Sequence, residues 1–308
     1  MERRLTQRGI AVAALGFLLF AQAASAQLAG RVGDVIESMG SGGVESGGVD
    51  WTTGIVTATG LGAPPEKAVN RAQARAMAER AAFVVATRNL LEVVKGIRVD
   101  SATLVENMIL TSDAIKTEVS GFIQGAQVMR KQVNPDGSVE VMVGMKLTGD
   151  LLNTLMPKQT GGGQPVVPPA PASPAQAPSA SVPSTPSPSA PASAGAAYTG
   201  LIIDARGTGV RPAMVPKIRN EEGREVYGSA FVNRQYAVEQ GMVGYLKDVG
   251  AAQANPRVTD RPLLVKALKT DGPNRTDLVI SNSDAQVLHG MKEHLSFLEK
   301  ARVMVVLD

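Results

Sequence analysis

Between Gln159 and Ile203 the chain carries no charged residue, and this stretch holds more than half of its 19 prolines among alanine, serine and glycine. Such a composition buries too little apolar surface to fold, and its prolines bias the backbone toward an extended form. It divides the 308 residues into two modules on a tether. The division places the first module at 51–157, a Pro/Ala/Ser-rich disordered linker at 158–197 and the second module at 198–308. A glycine-rich run, MGSGGVESGGVD, reads as the end of a flexible lead-in spanning 27–50.

The first 26 residues follow the grammar of a Sec-type signal peptide: Arg3, Arg4 and Arg8, an apolar run from Ile10 to Phe20, then Ala24-Ser25-Ala26 as the cleavage site. Cleavage after Ala26 is expected, giving a periplasmic or secreted chain. The apolar run is shorter than the roughly 20 residues that cross a bilayer, and no later stretch qualifies, so no membrane span is expected after cleavage. The chain has no cysteine, which excludes disulfides, thiolate metal sites and an acylated cysteine as lipid anchor. Losing the signal takes the net charge from +3 to about +1, too little for nucleic-acid binding.

In the first module Trp51 to Thr59 reads as a strand. A long helix follows from Pro64-Pro65-Glu66 to Lys95-Gly96, with Ala68, Ala72, Ala76, Phe83, Ala86, Leu90 and Val94 at helical spacing. Thr103 to Val119 is helical, broken near Thr111-Ser112-Asp113. Ala126 to Val133 and Val139 to Leu147 form a hairpin around Asn134-Pro135-Asp136-Gly137, and Asp150 to Leu155 is a short helix. The second module reads as the strand TGLIIDARG, a hairpin around Glu221-Glu222-Gly223, and a helix from about Arg234 to Val249. Then come strands RPLLVKALK and TDLVIS, a helix capped at Asn282, Ser283 or Asp284, and a central apolar strand ARVMVVL. The fold class is α+β: two small modules, each with helices packed on a mostly antiparallel sheet, the second being α+β or α/β.

Gly60-Leu61-Gly62 between strand and helix invites a nucleotide-loop reading. A dinucleotide fingerprint needs a third glycine, and Pro64-Pro65 stands there instead, removing a backbone N–H from the anion-binding turn. The motif therefore reads as a tight strand-to-helix turn. The run GLGAPPEKAVNRAQARAMAERAAFVVATRNLLEVVKG, with Ile115 to Val119 and the hairpin FIQGAQVMRKQVNPDGSVEVMVGMKL, resembles the twenty-kilodalton outer-membrane lipoprotein family and the similar amino-terminal domain of flagellar assembly protein T. The resemblance covers about residues 51–152 and implies a non-catalytic envelope protein that associates with other envelope components. One departure is Gln27, where the lipoproteins keep a cysteine. No family resemblance is evident in the second module.

Arg206, Gly207, Gly209 and Arg211 lie in a strand-following loop that could grip a phosphate or carboxylate, or be a plain turn with solvated arginines. His289 and His294, the two histidines of the chain, are five apart, about 140° on a helix, and do not converge on a metal. Asp204 and Asp260 are the kind of carboxylates that could meet in space. Tyr198, Tyr227, Tyr236 and Tyr245 suit core packing better than a recognition surface. No catalytic residue, cofactor or metal is expected. The sequence thus describes an exported, non-enzymatic cell-envelope protein, an assembly or interaction module for an envelope or surface-appendage structure, engaging envelope proteins or itself through the first module. The alternatives are a periplasmic hydrolase with its site in the second module and a small-anion-binding module using the Arg206–Arg211 loop.

Overall fold

The computed structural model describes residues 34–39, 47–157, 198–290 and 292–308, with the main chain alone for 39 and 292–295. The signal peptide, the linker and the side chain of His294 lie outside the described residues. About 33% of the described residues are helical and 28% strand, in two α+β regions.

The first region is built on a five-stranded antiparallel sheet. Its strands are β1 (Ile36–Met39), β2 (Gly47–Asp50), β3 (Ile55–Gly62), β4 (Gln127–Val133) and β5 (Val139–Lys146), in the order β1-β2-β3-β5-β4. The glycine-rich lead-in is therefore in part structural. A side chain on Gly47 would overlap β3 and Val93, and one on Gly48 would overlap Glu37 of β1, so these glycines let strands and helix approach closely.

Helix α1 (Arg71–Lys95) lies across this sheet, starting later than Pro64 because Asn70 caps it, accepting from Gln73 N at 2.8 Å. The face it buries is Ala78, Ala82, Ala86, Leu90, Val93 and Val94, whereas Ala72 and Ala76 are exposed. The reason is the G-x-G motif. A Cβ on Gly60 would stand 2.8 Å from Ala86 Cα, and one on Gly62 3.0 Å from Ala78 C, with nearer clashes to the same helix. Ordinary carbon contacts lie near 3.5–4.0 Å. The two glycines and the alanines at i, i+4 spacing seat helix backbone directly on strand backbone, which answers the question the motif raises.

Helices α2 (Val105–Thr111), α3 (Asp113–Gln124) and α4 (Asp150–Leu155) complete the region, Ser112 capping α3. The hairpin turn is as read, with Gly137 at φ +87 and Asn134 N donating to Ser138 O at 2.9 Å.

The second region contains β6 (Gly200–Asp204), β7 (Ile218–Asn220), β8 (Glu225–Tyr227), α5 (Arg234–Gln240), β9 (Gly244–Leu246) and α6 (Val249–Gln253). It continues through β10 (Pro262–Lys266), β11 (Lys269–Asp271), β12 (Asp277–Ile280), α7 (Asn282–His289), α8 (Lys292–Glu299) and β13 (Val303–Val306). One four-stranded sheet, β10-β6-β13-β9, is parallel throughout, and a second, β11-β12-β7-β8, is mixed. The α+β class holds, but a mostly antiparallel sheet describes only the first module. The correction follows from burial on both faces: Leu201, Ile203, Val303 and Val305 pack toward the main core, and Ile202, Met304 and Val306 pack with Val249 and Ala252 of α6. As its composition demands, β13 is a central strand. The helix read over 234–249 is broken at Gly241, φ +84, after which the chain enters β9.

The modules are also docked. The loop after α1 receives the second module through main-chain bonds Met214 N to Arg98 O, 3.0 Å, and Val215 N to Val99 O, 2.7 Å. Asn274 N donates to Ser101 O at 2.9 Å, and Gly149 N to Val238 O at 2.7 Å. Trp51 meets Tyr245 edge-on, with ring centroids 5.8 Å apart. One apolar cluster runs through both modules, so the two modules on their tether share a core.

Candidate interaction surface and module junction

Opposite its buried face, α1 presents Met77, Arg80, Val84 and Arg88, all exposed and within about 80° of one another at 100° per residue. Met77 is 47% and Val84 44% exposed, a departure from the polar exterior expected of an amphipathic helix. Arg71 and Arg75 continue the cationic character at the helix start. None of these four arginines makes an ion pair among the described residues, while Glu79 and Glu92, the acids of the helix, are engaged by Lys131 and Lys95.

A groove runs along one flank of this helix. Its first part, about 420 Å³, lies between Ala76, Glu79, Arg80 and Phe83 of α1 and Val128 and Val141 of the β4–β5 hairpin. Its second part, about 370 Å³, lies between Phe83, Val84, Arg88 and Leu91 of α1 and Ile123 of α3. Phe83 floors both. Beside it β4 is the sheet edge, every residue exposed. That edge is defended: Arg130 pairs with Glu140, Lys131 with Glu79, and the register shifts between Val128 and Arg130. Cations and a bulge on an edge strand disfavour strand addition, so the accessible feature is the groove rather than the edge hydrogen bonds.

The loop at Arg206 follows β6 at the carboxyl edge of the parallel sheet. Gly207 and Gly209 adopt positive φ, and Gly207 N donates to Asp308 Oδ1 at 2.7 Å. Arg206 forks onto Asp204, Nε to Oδ1 2.8 Å and Nη2 to Oδ2 2.7 Å, and the guanidinium holds the Asp204 carboxyl below the usual carboxylate range. The anion partners of Arg206 and Gly207 are thus carboxylates of the protein itself. Arg211 is exposed and uses its main-chain N on Arg275 O.

The structure does not bring Asp204 and Asp260 together. Asp204 closes β6, Asp260 precedes β10, and β6 and β10 are parallel with Gly200 beside Pro262, so the two carboxylates sit at opposite ends of the sheet. His289 Nε2 is 2.9 Å from Val226 O, and its ring packs on Phe231. Tyr227 and Tyr245 are buried, their hydroxyls on Met242 O and Ala213, and burial pushes both phenols up. Tyr236 is 38% exposed, and Tyr198 packs at the core margin. Among the described residues no cluster of three His, Asp or Glu is placed to hold a metal, and no helix is long and apolar enough to cross a membrane.

Sequence reasoning missed the charges buried at the junction. Arg98 donates Nε to Pro212 O at 2.9 Å and pairs with Glu37. Asp277 is fully buried, its Oδ1 accepting from Lys217 N at 3.1 Å, with Arg219 Nη2 3.5 Å from Oδ2. Burial pushes the Asp277 carboxyl up, against hydrogen bonds from Lys217 and Ser101. Arg257, half-buried, holds three main-chain carbonyls of the second module. No local sequence signal marks these residues, because burial of a charge is decided by tertiary packing.

Residues 200–308 match the family model of the second domain of Treponema pallidum Tp0624. That match lies within the second module, where the sequence suggested no relative. No curated protein matches the chain.

Proposed function

We propose that this chain is an exported, non-catalytic assembly protein of the cell envelope, whose first module binds an acidic amphipathic segment of an envelope partner in the groove along α1. The observation that carries the reading is the juxtaposition on one helix face of Arg80 and Arg88, without an ion pair among the described residues, with exposed Met77 and Val84, above a groove lined by Phe83. Apolar side chains would enter the groove while carboxylates meet its arginine rim, the helix-in-groove mode of recognition. Charge complementarity of this kind sets encounter rate and partner choice. The resemblance of residues 51–152 to the twenty-kilodalton outer-membrane lipoproteins and to the amino-terminal domain of flagellar assembly protein T supports an envelope setting. So does the signal-like start. The Tp0624 match names a domain and no activity.

The test is crosslinking in intact cells with the full-length chain and an Arg80→Glu/Arg88→Glu variant, partners being identified by mass spectrometry. Loss of an acidic envelope partner in the variant, with circular dichroism unchanged, supports the reading. Partner capture that survives both charge reversals and high salt refutes it. Turnover of cell-wall fragments by the purified chain would favour a hydrolase instead.

A further inference from the structure

A second recognition site lies where the modules meet. Between Trp51, Thr52, Gly54, Leu147, Thr148 and Leu152 on one side and Met214, Gln240–Tyr245 and Arg257 on the other there is a half-open cavity of about 90 Å³. It is unrelated to the groove on α1, since no residue is shared between them. Module boundaries are preferred places for small-ligand sites.

The wall chemistry is specific. Arg257 Nε donates to Ala301 O and Nη1 to Gln240 O, each at 2.8 Å, and Nη2 donates to Gly241 O. A guanidinium has five N–H groups, so two remain after these three bonds. Because Gln240 and Gly241 both line the cavity, the Nη end of the side chain sits at its wall. The partners are all neutral carbonyls, and among the described residues no carboxylate pairs with Arg257. Burial lowers the tendency of this guanidinium to stay charged, with the Tyr227 and Tyr245 phenols working the other way. A half-buried cation whose protein partners are all neutral favours an anion at its open side. The Thr148 hydroxyl, also at the wall, has no protein partner among the described residues, while Trp51, Leu147, Leu152 and Met214 supply apolar surface.

We infer that the junction binds a small organic monocarboxylate, its carboxylate on Arg257 and its short apolar body against Trp51 and Met214. The carboxylate takes a guanidinium N–H that the main-chain carbonyls leave over, a charge-assisted hydrogen bond. The cavity has room for about three waters at 30 Å³ each, which matches a ligand of a few carbons. Both modules contribute walls, so a bound ligand also strengthens their docking.

Trp51 is the single tryptophan of the chain and lines the cavity, so its emission reports occupancy directly. Full-length protein is titrated with butyrate at constant ionic strength, and with butyramide as the uncharged equivalent of the same shape. A saturable emission change with butyrate, at least tenfold weaker or absent with butyramide, is expected. Arg257→Gln should weaken butyrate by tenfold or more, and Arg257→Lys should retain part of the affinity. Equal responses to butyrate and butyramide in the unsubstituted protein overturn the inference, whatever the variants do. So does a folded Arg257→Gln protein that binds butyrate as well as the parent, or a response that never saturates.

Discussion

Alanine at Gly60 tests the central packing claim, that the G-x-G motif exists to let α1 touch β3. The added Cβ would stand 2.8 Å from Ala86 Cα and nearer still to Ala86 N and Ala82 O, all backbone atoms that no rotamer change can move. Restoring normal separation requires α1 to retreat by about 1 Å, which forfeits a quarter to a half of the dispersion well at each contact of its buried face. Overpacking of this kind costs about 1–3 kcal/mol, and alanine returns about 0.4–1 kcal/mol through the unfolded chain. The expected net loss is about 1.3 kcal/mol. Gly121→Ala is the matched control, because it lies inside α3 with nothing within 4 Å of the new Cβ. There the substitution should stabilise by about 0.5–1 kcal/mol. Urea unfolding followed by far-ultraviolet circular dichroism separates a gap of about 2 kcal/mol readily. If Gly60→Ala is as stable as its parent, close backbone packing is not what the glycine provides. If it instead abolishes a saturable nucleotide affinity at unchanged stability, the phosphate-loop reading returns.

Two other expectations concern the junction. Because burial raises the Asp277 carboxyl above its ordinary value of 3.8, its contribution to stability is fully present below that value and is lost as pH rises through the raised pKa. Asp277→Asn should therefore gain relative to its parent in urea midpoint as pH increases from about 4, and a difference constant from pH 4 to 8 would refute the assignment. Arg98→Ala leaves Pro212 O without its donor and Glu37 without its cation, a loss of about 2–4 kcal/mol after allowing for the partial exposure of Glu37. Hydrogen exchange at the Met214 and Val215 amides should accelerate at least about tenfold, and unchanged protection there would show that the seat does not depend on Arg98.

Much of this architecture is legible in the residues where local chemistry decides the outcome. The hairpin announces itself through Asn134-Pro135-Asp136-Gly137, the end of α1 through Lys95-Gly96, and the central place of β13 through its unbroken apolar character. Where two readings of a residue compete, distance decides. Gly47 and Gly48 look like linker glycines until the neighbouring strands are in place, and Ala72 looks like core until Gly60 and Gly62 fix which side of α1 faces the sheet. The docking of the modules is illegible for the same reason. The carbonyls of Arg98 and Val99 carry no side-chain signature, and Trp51 and Tyr245 meet from positions far apart in the chain. The arginine stripe on α1 is visible as a pattern, but only the fold shows which arginines lack a carboxylate.

Helix α1 runs from the groove on its flank to the place where the modules meet. Its 25 residues make a rod of about 37 Å at 1.5 Å per residue, with the groove along its flank and the seat for the second module at its carboxyl end. Backbone rests on backbone along Gly60 and Gly62, at Ala78, Ala82 and Ala86, while Leu90, Val93 and Val94 pack the carboxyl-terminal half through side chains. Tilting the rod at the groove would shift the Arg98–Val99 seat only as far as that side-chain layer transmits it. Thermodynamic reciprocity then applies: whatever factor an occupant of the groove imposes on closure of the junction, closure imposes the same factor on the affinity of that occupant.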